Sequence, residues 1–390
     1  MTFRIYGQHD DNTVEQMHKV MASGATYGVL CADGHYGYGH PIGGVAAYRG
    51  AISVSGVGFD IACGNMAIKL DTRYDDIGGD AGTILADIAR TISFGVGRKN
   101  DERVEHELFD NTVLWENPLV DGLRQKAREQ LGTVGSGNHY VDLFRDDDGQ
   151  VWIGVHFGSR GLGHTITTRV LTAIGATDRM DAPPALVDAE SSLGKQYEYG
   201  IKLAGMYAYA GREWVVERVR KIIGGTELDR VHNHHNFLWR ETHHGEQFWV
   251  VRKGATPAWP GQRGFIGGSM GDDAVIVSGV DSDLSEASLY STVHGAGRIM
   301  SRTAARGKFV KDENGKKQRQ PGLVRHDEWQ AWLRDKGVLL SGGDLDEAPQ
   351  AYRRLPEVLA AHEGTIAIDH TLTPFAVAMA GAKEIDPWKE

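Results

Sequence analysis

Metal-binding side chains occur in four short segments of the sequence, each beside a turn. Asp60 and Cys63 lie in a loop flanked by glycines, so their side chains can converge without the constraint of a helix. A carboxylate, a thiolate and several imidazoles together suit a borderline divalent ion such as Zn²⁺, Mn²⁺ or Fe²⁺. The pattern therefore predicts a metal site, although it does not identify the reaction. The four segments are GVGFDIACG (56–64), GSGNHYVDL (135–143), VHFGSRGLGH (155–164) and HNHHNF (232–237).

The segment VWIGVHF, which starts at Val151, has the alternation of a β-strand. Val151, Ile153 and Val155 share one face, whereas Trp152 and His156 point to the other. His156 is thereby predicted to lie near the end of a strand, opposite the buried face, and Gly-Ser-Arg-Gly follows shortly after it. This position suits a functional site.

A phosphate site is indicated by the segment STVHGAGRIMSR (291–302). His294 precedes Gly-Ala-Gly-Arg at a predicted helix start, where free backbone N–H groups favour an anion. Arg298 would then lie one helical turn further on. A histidine beside a phosphate could act as a ligand, a general acid or a nucleophile. The segment GGSMGDD (267–273) is another Gly-Ser turn, of the kind that holds phosphate or a base edge.

The elements that must position these residues do not alternate regularly between helix and strand. The sequence therefore predicts an α+β fold with mixed β-sheets surrounded by helices, in a single domain over residues 1–390. The first helix is predicted to begin with a capping box formed by Thr13 and Gln16. The predicted helices cover 13–23, 83–92, 118–131 and 204–223. The predicted strands cover 65–71, 151–157, 246–253, 274–279 and 365–372.

Composition and charge narrow the class of protein. Two cysteines among 390 residues cannot build a disulfide framework, and we expect Cys31 to be a core residue rather than a ligand. The sequence has no run of about 18 apolar residues and no signal peptide, so we expect a cytoplasmic protein without a membrane partner. Because the net charge is −10, a nucleic-acid partner would have to be bound by a local basic patch.

The most polar stretch covers residues 301–326. It is either a solvated surface loop or hairpin, or a region that contacts a phosphate backbone. Its basic residues are Arg302, Arg306, Lys308, Lys311, Lys316, Lys317, Arg319 and Arg325.

Taken in order, these motifs resemble those of the RtcB family of RNA-splicing ligases, and the resemblance covers nearly the whole chain. It implies an RtcB-like fold in one large domain. Several of the motifs are long and specific. The matching segments are DGHYGYGHPIGG (33–44), GVGFDIACG, GTVGSGNHY, HFGSRGLGH, NHHNF, RKGATPAWPGQ (252–262), GGSMG, HGAGRIMSR and DEAPQAYRRLPEV (346–358).

The resemblance implies an RNA ligase that uses GTP and Mn²⁺. Such enzymes join an RNA end carrying a 2′,3′-cyclic phosphate or 3′-phosphate to a 5′-hydroxyl end, in tRNA splicing or RNA repair. A histidine first attacks the α-phosphorus of GTP and forms a covalent histidine–GMP, and the GMP then passes to the RNA 3′-phosphate. An activating protein is a further implied partner.

The resemblance also assigns roles to residues. His294 would be the nucleophile, with Asp33 close to it. The thiolate of Cys63 would bridge two Mn²⁺ ions. The implied metal ligands are Asp60, Cys63, His139, His156 and His235. The implied nucleotide-binding residues are Asn138, Asp142, Asn236, Ser269, Met270, Gly295, Gly297 and Tyr352, with Tyr352 packed against the guanine. Arg160 and Arg298 would contact phosphates of the RNA end or of GTP.

Two positions depart from the family pattern at the expected guanine site. Asp142 stands where the family usually has glutamate, and Ala380 stands where many members have lysine. Lys383 could substitute for that lysine from a shifted position. Each unpaired polar group would weaken the preference for GTP by about 1–3 kcal/mol, so the two departures bear on the choice of nucleotide and not on the metal ligands.

Two other classes of function compete with ligation. One is a dinuclear metallo-phosphoesterase acting on RNA 3′ ends without nucleotidyl transfer, and the retention of His294 in its full HGAGR context argues against it. The other is a non-catalytic binder of RNA ends. A broken ligand set would mark such a protein, whereas all five ligands and the nucleophile are present.

Overall fold

The computed structural model describes residues 3–177, 179–311, 315 and 317–382. The helices are α1 (Asp11–Ala22), α2 (Val54–Val57), α3 (Tyr74–Ile77), α4 (Ala81–Thr91), α5 (Arg124–Gln130), α6 (Arg160–Ala173), α7 (Ser192–Ile223), α8 (Asp283–Ala287), α9 (Arg302–Arg306), α10 (His326–Lys336) and α11 (Leu355–Ala360). Short 3₁₀ helices cover Gly78–Asp80, Glu107–Phe109, Thr112–Trp115, Pro118–Val120, Leu345–Glu347 and Pro349–Ala351.

Nineteen strands run through the same described residues. They are β1 (Arg4–Ile5), β2 (Tyr27–His35), β3 (Ile42–Tyr48), β4 (Ala51–Ser53), β5 (Gly64–Arg73), β6 (Tyr140–Arg145), β7 (Gln150–Phe157), β8 (Leu186–Asp188), β9 (Glu227–His234), β10 (Asn236–His243), β11 (Glu246–Lys253), β12 (Ala255–Pro257), β13 (Arg263–Ile266), β14 (Ala274–Gly279), β15 (Ser291–Val293), β16 (Lys308–Lys311), β17 (Lys317–Gln320), β18 (Leu339–Gly343) and β19 (Ile366–Gly381).

Two mixed sheets dominate the fold. The larger has eight strands in the order β13-β14-β19-β6-β7-β5-β9, with β18 added beside β19 in parallel. The smaller has five strands in the order β1-β2-β3-β11-β10, and only β1 and β2 pair in parallel. The α+β architecture with mixed sheets among helices is therefore confirmed.

The central strand β7 is buried on both faces. Val151, Ile153 and Val155 pack with helix residues of α4 and α7, as the alternation predicts. The face that carries Trp152 is also buried, because Trp152 packs with aromatic residues of β6 and β13. His156 lies near the end of this strand on the face of Trp152, as predicted, but that face is buried as well, so the expectation of a single buried face was wrong.

The start of α1 corrects a second prediction. The helix begins at Asp11, and its N-cap residue Asp10 makes no side-chain capping bond. The expected capping box of Thr13 and Gln16 does not form. The amide of Gln16 instead accepts a hydrogen bond from the backbone N–H of Gly37 at 3.0 Å and donates back to that residue's carbonyl. A tertiary contact thus takes the place of a local cap.

Two predicted helices differ in extent from the observed ones. The stretch 118–131 is interrupted, because Gly122 has a left-handed φ of 72° that an α-helix cannot accommodate, and α5 begins only after it. The helix predicted at 204–223 is longer than predicted and corresponds to α7 (Ser192–Ile223). It begins after Ser191, whose hydroxyl accepts from the N–H of Gly194 at 3.0 Å, and ends before Gly224.

The strand predicted at 365–372 continues to Gly381, and the other four predicted strands lie within one or two residues of the observed ones. Cys31 is fully buried in an apolar cluster, as expected of a core residue. Within the polar stretch 301–326, β16 and β17 pair as an antiparallel hairpin, which is compatible with both alternatives for this stretch. Lys316 lies outside the described residues, and phosphate binding by this stretch stays a prediction. None of the helices in the described part of the chain could cross a membrane.

Candidate metal centre and nucleotide cavity

The metal-ligand candidates come together because four neighbouring strands of the large sheet, β5, β6, β7 and β9, each have one terminus on the same side of that sheet. The register pairs Asn65 of β5 and Tyr140 of β6 with His156 of β7, and it pairs Gly64 with His234 of β9. Cys63 directly precedes β5, His139 directly precedes β6, and His235 directly follows β9. Residues far apart in the sequence are thereby brought to one place by the antiparallel order of the strands.

Three of these side chains form a compact cluster of donor atoms. The sulfur of Cys63 lies 3.6 Å from Nε2 of His139 and 3.6 Å from Nε2 of His156. One potential ligand atom from each of the three residues lies within 4.8 Å of the others, and all three residues are buried. One soft thiolate and two imidazoles suit a borderline divalent ion, so the donor set fits the predicted metal.

Asp60 and His235 complete the predicted set. Oδ2 of Asp60 lies 3.0 Å from Nε2 of His139. The ring of His235 stacks on that of His156 with centroids 5.0 Å apart, and its buried Nδ1 has no hydrogen-bond partner among the described residues. An unpartnered nitrogen beside the cluster is the feature expected of a ligand that lacks its ion.

Asn65 is a functional residue that the sequence reasoning missed. Its Oδ1 accepts a hydrogen bond from Nδ1 of His156 at 2.6 Å, and its Nδ2 donates to the carbonyl of Phe265 at 2.7 Å. This arrangement fixes the tautomer of His156 and leaves Nε2 free to face the sulfur. The signal was the pairing of two adjacent strands, which no single segment of sequence reveals.

The electrostatics of the cluster follow from burial. Burial raises the pKa of the Cys63 thiol well above its usual range, and the charge of Asp60 adds to the rise. Burial lowers the pKa values of His156 and His235, so both imidazoles are neutral at neutral pH. Burial opposes ionisation of Asp60, yet the charge of His139 and their hydrogen bond lower the pKa of Asp60 to about 2. Metal binding must therefore displace a thiol proton.

His294 and Asp33 form a tight pair next to the cluster. Oδ2 of Asp33 accepts from Nδ1 of His294 at 2.6 Å and from the backbone N–H groups of His294 and Gly295 at 2.9 and 3.3 Å. Burial disfavours the carboxylate, but the charge and hydrogen bonds of His294 lower the pKa of Asp33. An ionised carboxylate can only accept, so Nδ1 of His294 carries a hydrogen, and in the neutral form of the ring the lone pair lies on Nε2. The ring of His294 lies 4.9 Å from that of His235.

The predicted helix start at His294 was wrong. Strand β15 ends at Val293, and the chain continues as a loop up to α9. Gly297 lies in this loop with a left-handed φ of 76°, and a Cβ there would lie 2.2 Å from the carbonyl oxygen of Asp33. Gly297 thus allows the loop to pack closely against β2, whereas the predicted role of the glycines was to begin a helix.

A cavity of about 590 Å³ joins the cluster to His294. A volume of this size falls in the usual range for small-molecule sites. The predicted site residues that do not line the cavity are Asp33, His139 and Arg160. Nη1 of Arg160 lies 3.3 Å from Nδ1 of His139. The other predicted site residues that line the cavity are Asp60, Cys63, Asn138, Asp142, His156, His235, Asn236, Ser269, Met270, Gly295, Gly297, Arg298 and Tyr352.

Two asparagines among the implied nucleotide-binding residues differ in their surroundings. Asn138 is exposed on the cavity wall. Asn236 is fixed, because its Oδ1 accepts from the N–H of Gly254 at 2.6 Å and its Nδ2 donates to the carbonyl of Asp60 at 3.4 Å. Only Asn236 is therefore held in one orientation by the fold.

The Gly-Ser turn is held by its own side chains. The hydroxyl of Ser269 donates to Asp272 at 2.6 Å, and Asp272 also pairs with Arg354 at 2.9 Å. Met270 is held by two tryptophans, since the indole N–H of Trp329 donates to its sulfur at 3.3 Å and that of Trp332 donates to its carbonyl at 3.1 Å. These bonds make the turn a rigid part of the cavity wall.

Tyr352 and Arg298 pack together on the cavity wall. The guanidinium of Arg298 lies 4.9 Å from the centre of the Tyr352 ring, and Nη1 donates to the phenol oxygen at 2.8 Å. Nη2 of Arg298 is buried and has no partner among the described residues. Arg298 thus offers an unused donor beside the ring that was expected to contact the base.

The two departures from the family pattern lie on adjacent strands. Asp142 pairs with Val377 in the register of β6 and β19, and Ala380 lies three residues further along β19. Burial raises the pKa of Asp142 well above its usual range, and its buried Oδ1 has no partner among the described residues. A protonated carboxyl can donate as well as accept a hydrogen bond. Lys383 lies outside the described residues.

Comparison with known proteins agrees with this site. The chain matches the family tRNA-splicing ligase RtcB over residues 16–120 and 116–380. It is 30% identical over 442 residues to the tRNA-splicing ligase RtcB of Thermococcus kodakarensis, covering 92% of this chain and 88% of the relative. It is 31% identical over 378 residues to the RNA-splicing ligase RtcB of Escherichia coli (strain K12), covering 87% of this chain and 86% of the relative. The chain therefore belongs to the RtcB family of tRNA-splicing ligases.

Proposed function

We propose that this chain is an Mn²⁺- and GTP-dependent RNA ligase that acts in tRNA splicing or RNA repair. It joins RNA ends carrying a 2′,3′-cyclic phosphate or 3′-phosphate to 5′-hydroxyl ends through a covalent histidine–GMP. The observation that carries the proposal is the Asp33–His294 pair, which fixes an imidazole with a free Nε2 in the same cavity as the cluster of Cys63, His139 and His156.

The first step is nucleotidyl transfer to His294. Nε2 forms a bond to the α-phosphorus of GTP, the bond from that phosphorus to the oxygen shared with the β-phosphate breaks, and pyrophosphate leaves. Asp33 keeps the hydrogen of Nδ1 in place and stabilises the positive charge that develops on the ring. An oriented imidazole of this kind is the arrangement that nucleophilic catalysis requires.

The metal ligands act on the phosphates of this reaction. We propose that Asp60, Cys63, His139, His156 and His235 would hold two Mn²⁺ ions. When bound, Mn²⁺ neutralises negative charge on the phosphates and so lowers the barrier to attack. The neutral state of His156 and His235 in this buried site favours coordination over protonation.

The remaining steps transfer GMP and seal the RNA. Hydrolysis first opens a cyclic phosphate to a 3′-phosphate. An oxygen of that phosphate attacks the phosphorus of histidine–GMP, which frees His294, and the RNA 5′-hydroxyl then attacks the 3′-phosphorus and displaces GMP. Arg298, with its unused donor, is the proposed phosphate contact, and Tyr352 and Asp142 are the proposed contacts to the base. A single catalytic domain over residues 1–390 and an activating protein are parts of the same proposal.

Transfer of labelled nucleotide to the protein tests this proposal. The chain is incubated with Mn²⁺ and GTP labelled at the α-phosphate, denatured, and examined for bound label, with ATP and the variant His294→Ala in parallel. We expect label from GTP on the wild-type chain and none on the variant. The variant should bind Mn²⁺ normally, which shows that its site is intact.

Each alternative gives a different result. Label from ATP in place of GTP would mean that Asp142 and Ala380 have changed the base preference. No label from a metal-loaded chain that releases phosphate from RNA 3′ ends would support the phosphoesterase. No label and no turnover, with RNA ends bound, would support the non-catalytic binder.

A further inference from the structure

Arg212 is a fully buried arginine of α7, with 0% of its surface exposed. Its Nη1 donates to two backbone carbonyls, that of Ala62 at 3.0 Å and that of Phe157 at 2.6 Å. Ala62 directly precedes Cys63, and Phe157 directly follows His156. One nitrogen therefore joins the two chain segments that carry these metal-ligand candidates.

The rest of the guanidinium holds a third segment. Nε donates to Nε2 of His232 at 2.8 Å, and Nη2 lies 3.1 Å from Nδ1 of His234, the residue before His235. Burial lowers the pKa values of His232 and His234, and the charge of Arg212 lowers them further, so both imidazoles accept in their neutral form. These four hydrogen bonds of Arg212 are thus to neutral acceptors, and its guanidinium also lies 5.2 Å from the centre of the Tyr209 ring.

No carboxylate pairs directly with Arg212 among the described residues, although the charges of Asp60 and Glu213 raise its pKa. It forms no ion pair with an aspartate or glutamate in the part of the chain that the structure describes, although buried arginines are usually paired. Burial lowers its pKa to about 10, so it stays charged at neutral pH. Burying a charge without a directly paired carboxylate opposes folding, and the hydrogen bonds of Arg212 offset part of this cost.

The segment before Cys63 needs such a support. Ala62 has a left-handed φ of 61°, a conformation that non-glycine residues adopt only when their surroundings hold them. Its N–H donates to the carbonyl of Asn236 at 2.7 Å, and its carbonyl accepts from Arg212. The backbone N–H and C=O of Ala62 are therefore both hydrogen-bonded, and the guanidinium of Arg212 is the donor to the C=O.

We propose that Arg212 is a positioning residue of the metal centre, because its guanidinium holds together the three segments that present Cys63, His156 and His235. The five donors of a planar guanidinium can bind several acceptors at fixed angles, which no other side chain can do. The inference rests on the metal site of the proposed function and deepens it. Arg212 acts through the ligands and touches neither metal nor substrate.

Metal binding by two variants tests the inference. The full-length chain, stripped of metal, is titrated with Mn²⁺ in a calorimeter and with Co²⁺ in a spectrophotometer, where a thiolate-to-cobalt absorption band reports the Cys63 sulfur. The folded fraction is measured by circular dichroism. We expect Arg212→Met to weaken Mn²⁺ binding about 10- to 100-fold and to reduce the cobalt band, as for other residues that orient metal ligands.

A matched control lies on the same helix. Arg218 is partly exposed and pairs with Glu102 at the surface, so Arg218→Met removes an arginine of α7 that has no contact with the ligand segments. We expect its Mn²⁺ affinity and cobalt spectrum to equal those of the wild type. A role for Arg212 in stability alone would lower the unfolding temperature of Arg212→Met and leave metal affinity of the folded molecules unchanged, which would overturn the inference.

A second variant decides the question if Arg212→Met does not fold. Arg212→Lys keeps the charge, but a single ammonium cannot reach both carbonyls and both histidines, so we expect about tenfold weaker binding. Unchanged binding by a folded Arg212→Lys protein would then refute the inference. If the wild-type chain itself bound neither Mn²⁺ nor Co²⁺, the metal site of the proposed function would fall, and the inference with it.

Discussion

At the scale of single residues, the chemistry depends on groups that fix the protons of two histidines. Asn65 holds Nδ1 of His156 and turns Nε2 toward Cys63, and Asp33 does the same for His294. In both cases one nitrogen is occupied by an oxygen of the fold, and the other is left for a metal or a phosphorus. In the proposed function the two histidines differ in role because Nε2 of His156 faces the sulfur of Cys63, whereas Nε2 of His294 is the proposed nucleophile.

Asp33→Asn tests the charge of this support. The amide oxygen can still accept from the three N–H groups, but it cannot balance the positive charge that develops on His294 during attack. We expect the single-turnover rate of GMP labelling to fall about 10²-fold or more. Mn²⁺ affinity, measured by calorimetry, should not change, since Asp33 is not a metal-ligand candidate. An unchanged labelling rate would show that Asp33 only orients the ring.

Single residues also mark the limit of sequence reasoning. Cys63, His139 and His156 could be singled out because their types and their turns are visible in short segments, and the structure brings them together. Asn65 and Arg212 could not, since an asparagine in a strand and an arginine in a helix carry no local sign of their partners. Their roles arise from contacts across 91 and 150 residues of sequence.

At the scale of elements, the site depends on strand ends and on the turns that follow them. Gly158, just after β7, leaves room for the Asp60 loop, because a Cβ there would lie 2.1 Å from Oδ1 of Asp60 and 2.9 Å from the backbone nitrogen of Cys63. The absence of a side chain at this turn is therefore a condition for the carboxylate and the sulfur to approach His139.

Gly158→Ala should displace Asp60 and weaken Mn²⁺ binding at least tenfold, because the added methyl group overlaps a proposed ligand. Gly50→Ala is the matched control, since a Cβ at Gly50 has nothing within 4 Å. Calorimetric titration of both variants measures the difference. Equal affinities would mean that the loop can move aside and that Asp60 contributes little to binding.

The elements themselves were easier to predict than their connections. The alternation of β7 and the hydrophobic spacing of α4 are local properties, and both elements were predicted within a few residues. The helix expected at His294 was wrong because glycines and an arginine also suit a loop that packs against β2. Local composition cannot distinguish the two, since a tertiary contact decides between them.

At the scale of the whole molecule, the site lies where the two large sheets meet. His235 is the single residue between β9 of the eight-stranded sheet and β10 of the five-stranded sheet. Asp33 lies on β2 of the smaller sheet, whereas His156 lies on β7 of the larger one. A metal held by Cys63, His156 and His235 would therefore join the larger sheet to the residue at which the chain passes into the smaller one.

Metal binding should accordingly stabilise the whole fold. At a free Mn²⁺ concentration of 100 times the dissociation constant, we expect about 2.7 kcal/mol of added stability and a higher unfolding temperature. The variant His156→Ala should lose most of this increase. Scanning calorimetry with and without Mn²⁺ measures it, and an equal increase in the variant would place the stabilising ion elsewhere on the chain.

The position of His235 has a consequence for how the protein matures. Because His235 has no loop on either side, a rotation of one sheet relative to the other would also move the His235 imidazole. A chain whose sheets have formed but not yet docked has its metal-ligand candidates together on the larger sheet, whereas Asp33 lies apart from them on the smaller sheet. Docking of the two sheets then brings Asp33 to the cluster, so only a completed molecule could carry out the nucleotide reaction that we propose.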